Sequence, residues 1–455
     1  MKTVSSTRAP ARRPSPHVAA VLSFVWPGLG HLYARRERAA AAFALPVLAI
    51  VVALAISASQ GLAHLAVLLI TPSSALTLLV LVVLIGVWRL VSIADSMLGL
   101  GVRSPWREGS TAATFATLAA IVVLTHLVMA YFAWAFYDAG SRIFTGDSGP
   151  DRTAPPSLAP GDTARPTGAI APTPHVTPSS PTARINTLLI GIDSAGRRTT
   201  TLTDTLMVVS VDPVSGDVAM ISFPRDLAGF ELPNGEIYRP KINSLFTNAR
   251  TNPEEFPVGP IPAVMDSLSH LLGAPIHYYA AIDLEGFRRM VDLVGGVTVD
   301  NPRAINDPLY LWIEKHPPGF FLSAGVHTLD GRTALAYVRS RQGAGDSDFS
   351  RARRQQQVLI ALRDKLTRPE MITQLPALLD ATADSVTTNF PSDRVGEMVD
   401  LATRTSQAEI TQVVLGPPYA QRPESSDTYF LKLDMERMAK LSIEIFGDDS
   451  RYAGN

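Results

Sequence analysis

The chain has no cysteine among its 455 residues. This excludes disulfide staples, thiolate metal sites and cysteine nucleophiles, and it is compatible with an exported domain that needs no staples. Excess charge of either sign is also lacking. Lys and Arg total 40 against 41 Asp and Glu, a formal net charge of -1. No basic domain with interleaved aromatics stands out, so nucleic acid is not an expected partner. Apolar residues, by contrast, are plentiful: they make up 46% of the chain, and the mean hydropathy of +0.16 is high for a wholly soluble protein. The excess is concentrated before residue 138.

Three segments are long and apolar enough to cross a bilayer: 39–58, 75–94 and 112–137. A fourth, 18–34, is short and broken by WPGLGH, with Pro27, Gly28 and Gly30 in its middle, and reads as interfacial or re-entrant. Residues 1–17 form a basic tail with Lys2, Arg8, Arg12 and Arg13. Residues 35–38 read RRER, and Arg103 and Arg107 lie in the next polar loop. Positive charge marks all three stretches as cytoplasmic, so three spans put everything after 138 outside. A basic tail running into several spans also argues against a cleaved signal peptide. Arg89 lies near the inner end of the second span, where its stem can snorkel to the headgroups. His64 and His126 have no evident acidic partner in the membrane and read as structural or interfacial. Residues 138–183, rich in Pro, Thr, Ser, Gly and Ala, form a linker with polyproline II character.

Residues 184–455 are enough for one α/β domain with a sizeable core. INTLLIGID, DTLMVVSVDP and DVAMISFPRD read as strands, the last two as a hairpin. IPAVMDSLSHLLG and LEGFRRMVDLVGG read as helices around the strand-like HYYAAID, and ITQVVLGPPYA and MERMAKLSIEIFG as a late strand and a final helix. Strands alternating with helices predict a layered α/β sheet flanked by helices, preceded by an α-helical membrane region. Asp193 closes the first strand and Asp204 opens the second. Ligands gather at strand ends, and two carboxylates there suit one hard cation such as magnesium. Arg225, Asp226, Lys241 and Asn243 follow in FPRD and PKINSLF, and Asp292 precedes a Gly-Gly turn. The stretch YAQRPESSDTYF reads as a plain connection.

The densest cationic segment is YVRSRQGAGDSDFSRARRQQQ at 337–357, which holds Arg339, Arg341, Arg351, Arg353 and Arg354. Counting from Arg351, residues Gln355, Val358, Leu359, Leu362 and Leu366 share one helical face, so Arg351 and Gln355 continue an apolar stripe inward. Arg339 and Arg341, if extended, point to one side. With the positive end of a helix dipole beside them, these residues suit a bound anion.

In order along residues 184–395, LLIGIDS, TDTLMVVSVDP, SFPRDL, KINSLF, YYAAIDLEGFRRMVDLVGGV, HTLDGRTALAYVRSR and DFSRARRQQQVL resemble the LytR-CpsA-Psr family of cell-envelope phosphotransferases. The resemblance implies an extracytoplasmic domain that takes a glycopolymer from a polyprenyl-pyrophosphate lipid and joins it to peptidoglycan through a phosphodiester. It assigns Asp193 and Asp204 to a Mg2+ (or Mn2+) site, and Arg225, Arg339, Arg341, Arg351 and Gln355 to the pyrophosphate, with Lys241 added as a further binding residue. Asp204, Arg225, Arg339 and Arg341 are the expected catalytic set, and Asp204, Asp226 and Asp348 are the candidate bases. Planar guanidinium groups grip phosphate oxygens bidentately, so the arginines read as a pyrophosphate clamp. The helix at 260–273 is a candidate lining for the lipid tail. The family often has Arg before the second Asp, where this chain has Thr203, though Arg197 and Arg198 lie nearby. Three spans also exceed the family's usual single anchor. Two alternatives use the same residues: a pyrophosphatase that gives the polymer to water, and a lipid-binding or regulatory module without turnover.

Overall fold

The structure is a computed structural model. It describes residues 14–59, 67–69, 71–107, 109–144, 178, 180, 182–193, 202–312, 318–343, 345–368, 371, 378, 382–405, 408, 410–424 and 429–454. The chain divides into two compact units, Met1–Asp138 and Ala139–Asn455.

The first unit contains α1 (Pro16–Val25), α2 (Leu29–Tyr33), α3 (Glu37–Ser59), α4 (Pro72–Leu98) and α5 (Gly109–Ile143) up to Asp138. The last three are long and apolar enough to cross a membrane. The predicted fourth segment is split at Trp26–Gly28 into α1 and α2, and Gly28 has a left-handed φ of 101°. That turn lets α2 fold back on α1: a side chain at Gly30 would strike the Ala19 carbonyl. It also buries His31 completely, with Nε2 2.9 Å from Asp95 Oδ2. Arg36, from the RRER loop, donates to the same carboxylate oxygen at 2.8 Å. The WPGLGH segment therefore supplies the buried histidine of a His–Asp–Arg cluster, with Asp95 and Arg36 half-buried, that the sequence reading did not foresee. Arg89 donates to the Phe24 carbonyl at 2.6 Å, joining α4 to the end of α1. His126 bonds the Val122 carbonyl at 2.8 Å and packs against Gly86 of α4, a structural role. His64 lies outside the described residues.

The second unit begins with β1 (Ile185–Asp193), β2 (Leu202–Val211), β3 (Val218–Phe223), β4 (Ala228–Glu231) and β5 (Ile237–Lys241). Next come α6 (Leu245–Thr251), α7 (Pro260–Leu272), β6 (Tyr278–Asp283), α8 (Leu284–Leu293), β7 (Val297–Asn301), β8 (Ile305–Asp307), β9 (Phe320–Leu322) and β10 (Gly325–Leu329). It continues with α9 (Gly331–Arg339), α10 (Asp348–Leu366), β11 (Val386–Thr388), α11 (Val395–Arg404), β12 (Ile410–Val414), β13 (Ala420–Gln421), β14 (Lys432–Leu433) and α12 (Met435–Phe446).

Six strands form one mixed sheet in the order β11-β6-β1-β2-β3-β12. The predicted hairpin of β2 and β3 is antiparallel, whereas β1–β6 and β3–β12 are parallel. Side chains alternate between the faces of a strand. Leu188, Ile190, Leu206, Val208 and Ile221 pack with Val264, Leu268 and Leu271 of α7 and Met438 of α12 in one core. On the other face, Met207 and Met220 pack with Leu359 and Ile360 of α10. The sheet is thus covered on both sides, which is why its strands read as continuous apolar runs. A second core joins α8, α9, α10 and β7 around Tyr337, Val291, Val297 and Val358.

One buried amide fixes α10 to the sheet. Gln356 is fully buried, and its Nε2 lies 2.9 Å from Ser222 Oγ, 3.0 Å from the Val413 carbonyl and 3.3 Å from the Met220 carbonyl. Gln356→Leu removes the donor and leaves polar groups buried, so unfolding stability should fall by about 1–3 kcal/mol. Thermal denaturation beside the wild type checks this, and an unchanged midpoint would show that the amide fastens nothing.

Candidate active site

The chemistry gathers where α10 begins. Ser347 caps this helix: its Oγ accepts from the Ser350 amide at 3.2 Å while Ser350 Oγ accepts from the Ser347 amide at 2.8 Å. The cap sets the phase, and Arg351, Gln355 and Leu359 line one cavity of about 380 Å³. Asp204 enters that cavity from β2, and Arg225 from the turn after β3. Arg339 ends α9, and Arg341 follows two residues later. The arginine pair is therefore not part of an extended strand, as the alternating spacing suggested, yet both residues face the cavity. Gly191 of β1 also lines it, where a side chain would meet Thr205 within 2.9 Å.

The turn carrying Arg225 is tied down by the β4–β5 hairpin. The Ile242 amide donates to the Leu227 carbonyl at 2.7 Å and the Asn243 amide to the Arg225 carbonyl at 3.3 Å. Arg225 Nη1 donates to Asp204 Oδ1 at 2.9 Å, and its Nε lies 3.4 Å from Asp348 Oδ2 and 3.8 Å from Asp226 Oδ2. Arg351, only 6% exposed, reaches Asp348 Oδ1 at 3.4 Å and the Asp204 carbonyl at 3.4 Å. Arg341 is exposed, but its backbone is not loose. Buried Asp307 accepts from the Arg341 and Gln342 amides, both at 3.2 Å, and from Ser340 Oγ at 2.8 Å. Nothing in the sequence reading singled out Asp307, since an Asp-Pro pair reads first as a turn.

The cavity is lined by four arginines, Arg225, Arg339, Arg341 and Arg351, against three carboxylates, Asp204, Asp283 and Asp307. Asp283 accepts from the Gly286 amide and Asp307 from the 340–342 loop, while Asp226, Asp348 and Lys241 stand outside the lining. Burial and a hydrogen bond with Asp348 push the Asp226 carboxyl above its ordinary value, although Lys241, 2.6 Å away, pulls the other way. Burial pushes Asp348 up too, but Arg351, the bond from Asp226 and Arg225 outweigh it and hold Asp348 low. Asp226 is therefore the member of this pair that takes up a proton more readily as pH falls.

Beside Thr205, Asp283, Asp307, Tyr310 and Gln342, the lining has an apolar part: Ile282, Leu284, Phe287, Leu309, Leu311, Leu335, Val338 and Leu359. The predicted lining helix at 260–273 is not among them. As α7, it spends its apolar face in the main core, because Val264, Leu268, Leu271 and Leu272 are buried there. Lys241 is likewise absent from the lining: Asp226 holds it behind Arg225. Arg354 turns instead to Asp346 at 3.2 Å and to the Ser340 carbonyl, and Arg353 is exposed. Thr203 is buried and donates to the Asn243 carbonyl at 3.4 Å. Asp292 accepts from the Gly331 amide at 2.7 Å and so anchors α9. The connection read at 419–430 is not remote: the Leu431 amide donates to the Asp226 carbonyl at 2.9 Å, which brings Tyr429 beside Lys241. Asp193 ends β1 opposite Leu202, two positions from Asp204. Arg197 and Arg198 lie outside the described residues.

For a hard cation, Asp204 presents a carboxylate in the cavity with one oxygen taken by Arg225. Among the described residues there is no cluster of three or more His, Asp or Glu side chains placed to hold a metal. An ion that takes one or two carboxylates and completes its shell with phosphate and water fits this donor set.

The LytR_cpsA_psr family model matches residues 161–451. The polyisoprenyl-teichoic acid–peptidoglycan teichoic acid transferase TagU of Halalkalibacterium halodurans is 29% identical over 262 residues, which cover 57% of this chain and 77% of that protein. The cell wall biosynthesis protein LcpA of Corynebacterium glutamicum is 31% identical over 215 residues, 44% of this chain and 40% of that one. Among solved structures, TagV of B. subtilis aligns with a TM-score of 0.47 and 24% identity, over 58% of this chain and 97% of that one. A match that runs through more than half of the residues, including the whole mixed sheet and every residue of the arginine-lined cavity, means that this chain belongs to the LytR-CpsA-Psr family.

Proposed function

We propose that the chain is a membrane-anchored phosphotransferase. It moves a glycopolymer from a polyprenyl-pyrophosphate lipid onto peptidoglycan through a phosphodiester, with its second unit on the outer side of the membrane. The observation that carries this reading is the double character of one cavity: Arg225, Arg339, Arg341, Arg351 and Gln355 share it with Leu284, Phe287, Leu309, Leu335 and Leu359. A pyrophosphate diester joined to a hydrocarbon tail requires that combination, and an ordinary soluble phosphate ester does not. Three apolar helices in the same chain and the teichoic acid transferase named among its relatives support it.

In this reading the arginines bind both phosphates and stabilise charge as it moves to the leaving group. An acceptor hydroxyl attacks the glycopolymer's phosphorus. The bond to the bridging oxygen breaks, and polyprenyl phosphate leaves. Asp193 and Asp204 would hold Mg2+, which supplies additional positive charge to the phosphate oxygens when bound. Asp204 is also the first choice as base for the incoming hydroxyl, because it alone of the three candidates lines the cavity. Positioning and electrostatics suffice, and no covalent nucleophile is needed.

The test uses the full chain in lipid nanodiscs with magnesium, a synthetic polyprenyl-pyrophosphoryl saccharide and a peptidoglycan oligomer, followed by mass spectrometry. Release of polyprenyl phosphate should be coupled to a mass gain on the oligomer. Equal release with no gain on the oligomer would make the protein a pyrophosphatase. Retained lipid without release would make it a binding module.

A further inference from the structure

A lipid-linked substrate of this kind has three parts, and the cavity accounts for two of them, the tail and the pyrophosphate. The third part, a sugar, has to leave the arginine cluster by another side. Arg225 lies between the cavity and a group of side chains that do not line it. Its Nε faces Asp226, Asp226 holds Lys241 at 2.6 Å, and the Lys241 ammonium lies over the Tyr429 ring, 5.6 Å from its centroid. The Arg422 guanidinium lies over the same ring at 5.9 Å. Tyr429 is nonetheless 46% exposed.

An exposed aromatic ring next to cations and a carboxylate suits a sugar. The ring covers the apolar C–H face of a pyranose, while charged groups bond its hydroxyls and any anionic substituent. Resting on the transferase reading, we propose that Tyr429, with Lys241 and Arg422, forms a saccharide subsite that seats the pyranose adjoining the reacting phosphate. The ring comes either from the lipid-linked donor or from the acceptor glycan. The backbone places it firmly: the Leu431 amide donates to the Asp226 carbonyl at 2.9 Å, and the Ala228 amide to the Leu431 carbonyl at 3.0 Å. The segment bearing Tyr429 is thus laced to the turn that presents Arg225.

Direct binding tests this without turnover. The full chain in nanodiscs is titrated with polyprenyl pyrophosphate, with polyprenyl-pyrophosphoryl disaccharide and with a peptidoglycan oligomer. Tyr429→Ala should weaken one of the two saccharide ligands about tenfold, the loss expected when a stacked aromatic contact is removed. It should leave the sugar-free pyrophosphate unchanged, and Tyr429→Phe should bind like the wild type. Loss confined to the disaccharide lipid assigns the subsite to the donor, and loss confined to the oligomer assigns it to the acceptor. Unchanged affinity for both saccharides, or equal weakening of the sugar-free lipid, overturns the proposal. A wild-type chain that binds in this pattern yet transfers nothing would sink the transferase reading and leave the subsite standing.

Discussion

Arg351→Met should reduce transfer by about 10²- to 10³-fold, the cost of about 3–4 kcal/mol typical for deleting one pre-organised charge-stabilising donor. The side chain is buried, lines the cavity and touches both Asp348 and the backbone of Asp204. Low dielectric strengthens its pull on a phosphate, and methionine fills the volume without the charge. Arg351→Lys should recover little, because an ammonium cannot reproduce the planar fork that spans two acceptors. The variant also carries a pH signature. Asp348 is held low, with Arg351 the foremost of the groups that lower it. A depressed carboxyl adds stability above its unfolded value, and this is lost as pH falls through the folded value. Without Arg351 the folded value rises, so acid unfolding should begin at higher pH. Turnover at neutral pH and melting curves across the acid range check both parts; wild-type turnover would remove Arg351 from the site.

Asp307→Ala is the second large expected effect, although Asp307 bonds the backbone of the loop and not the phosphate. One of its oxygens accepts from Ser340 Oγ, the Arg341 amide and the Gln342 amide, and the residue is 2% exposed. Its removal leaves three donors inside the protein without that acceptor and should lower stability by about 3 kcal/mol. It also frees the loop that aims Arg341, and a displacement of about 1 Å at such a site costs on the order of 100-fold in rate. Asp307→Asn keeps one acceptor oxygen and should recover part of both losses. Melting temperature and kcat/KM measured together separate the cases: a stability loss with normal kcat/KM would mean that Arg341 does not depend on this anchor.

Five strands of the main sheet, the helices at 260–273 and 284–296, and the inward turn of Arg351 and Gln355 were legible because each rests on a local pattern, a continuous apolar run for the strands and a period of 3.6 for the helices. The sixth strand, β11, is three residues long and carries too little pattern to read. What could not be read was who meets whom. The lipid wall was sought in α7, whose apolar stripe is strong, but that stripe is consumed by the main core. The apolar part of the cavity is assembled from β6, α8, the loop after β8, α9 and α10, no one of which announces a groove. Lys241 looked like another phosphate ligand, and a single carboxylate, Asp226, decides otherwise. Short pairings such as β4–β5 and β8–β9 carry too few residues for a pattern to emerge.

The spacing of Arg351, Gln355 and Leu359 along α10 makes this helix a ruler. Eight residues at about 1.5 Å each set the first and last of these contacts about 12 Å apart along the axis. A single inserted residue between Gln355 and Leu359 would swing every later side chain by about 100°. Leu359 would leave the cavity while Arg351 stayed. A four-residue insertion would restore the face but stretch the scale by about 6 Å. Changes of length between Arg351 and Leu359 should therefore disrupt the cavity lining even where the inserted residues are good helix formers.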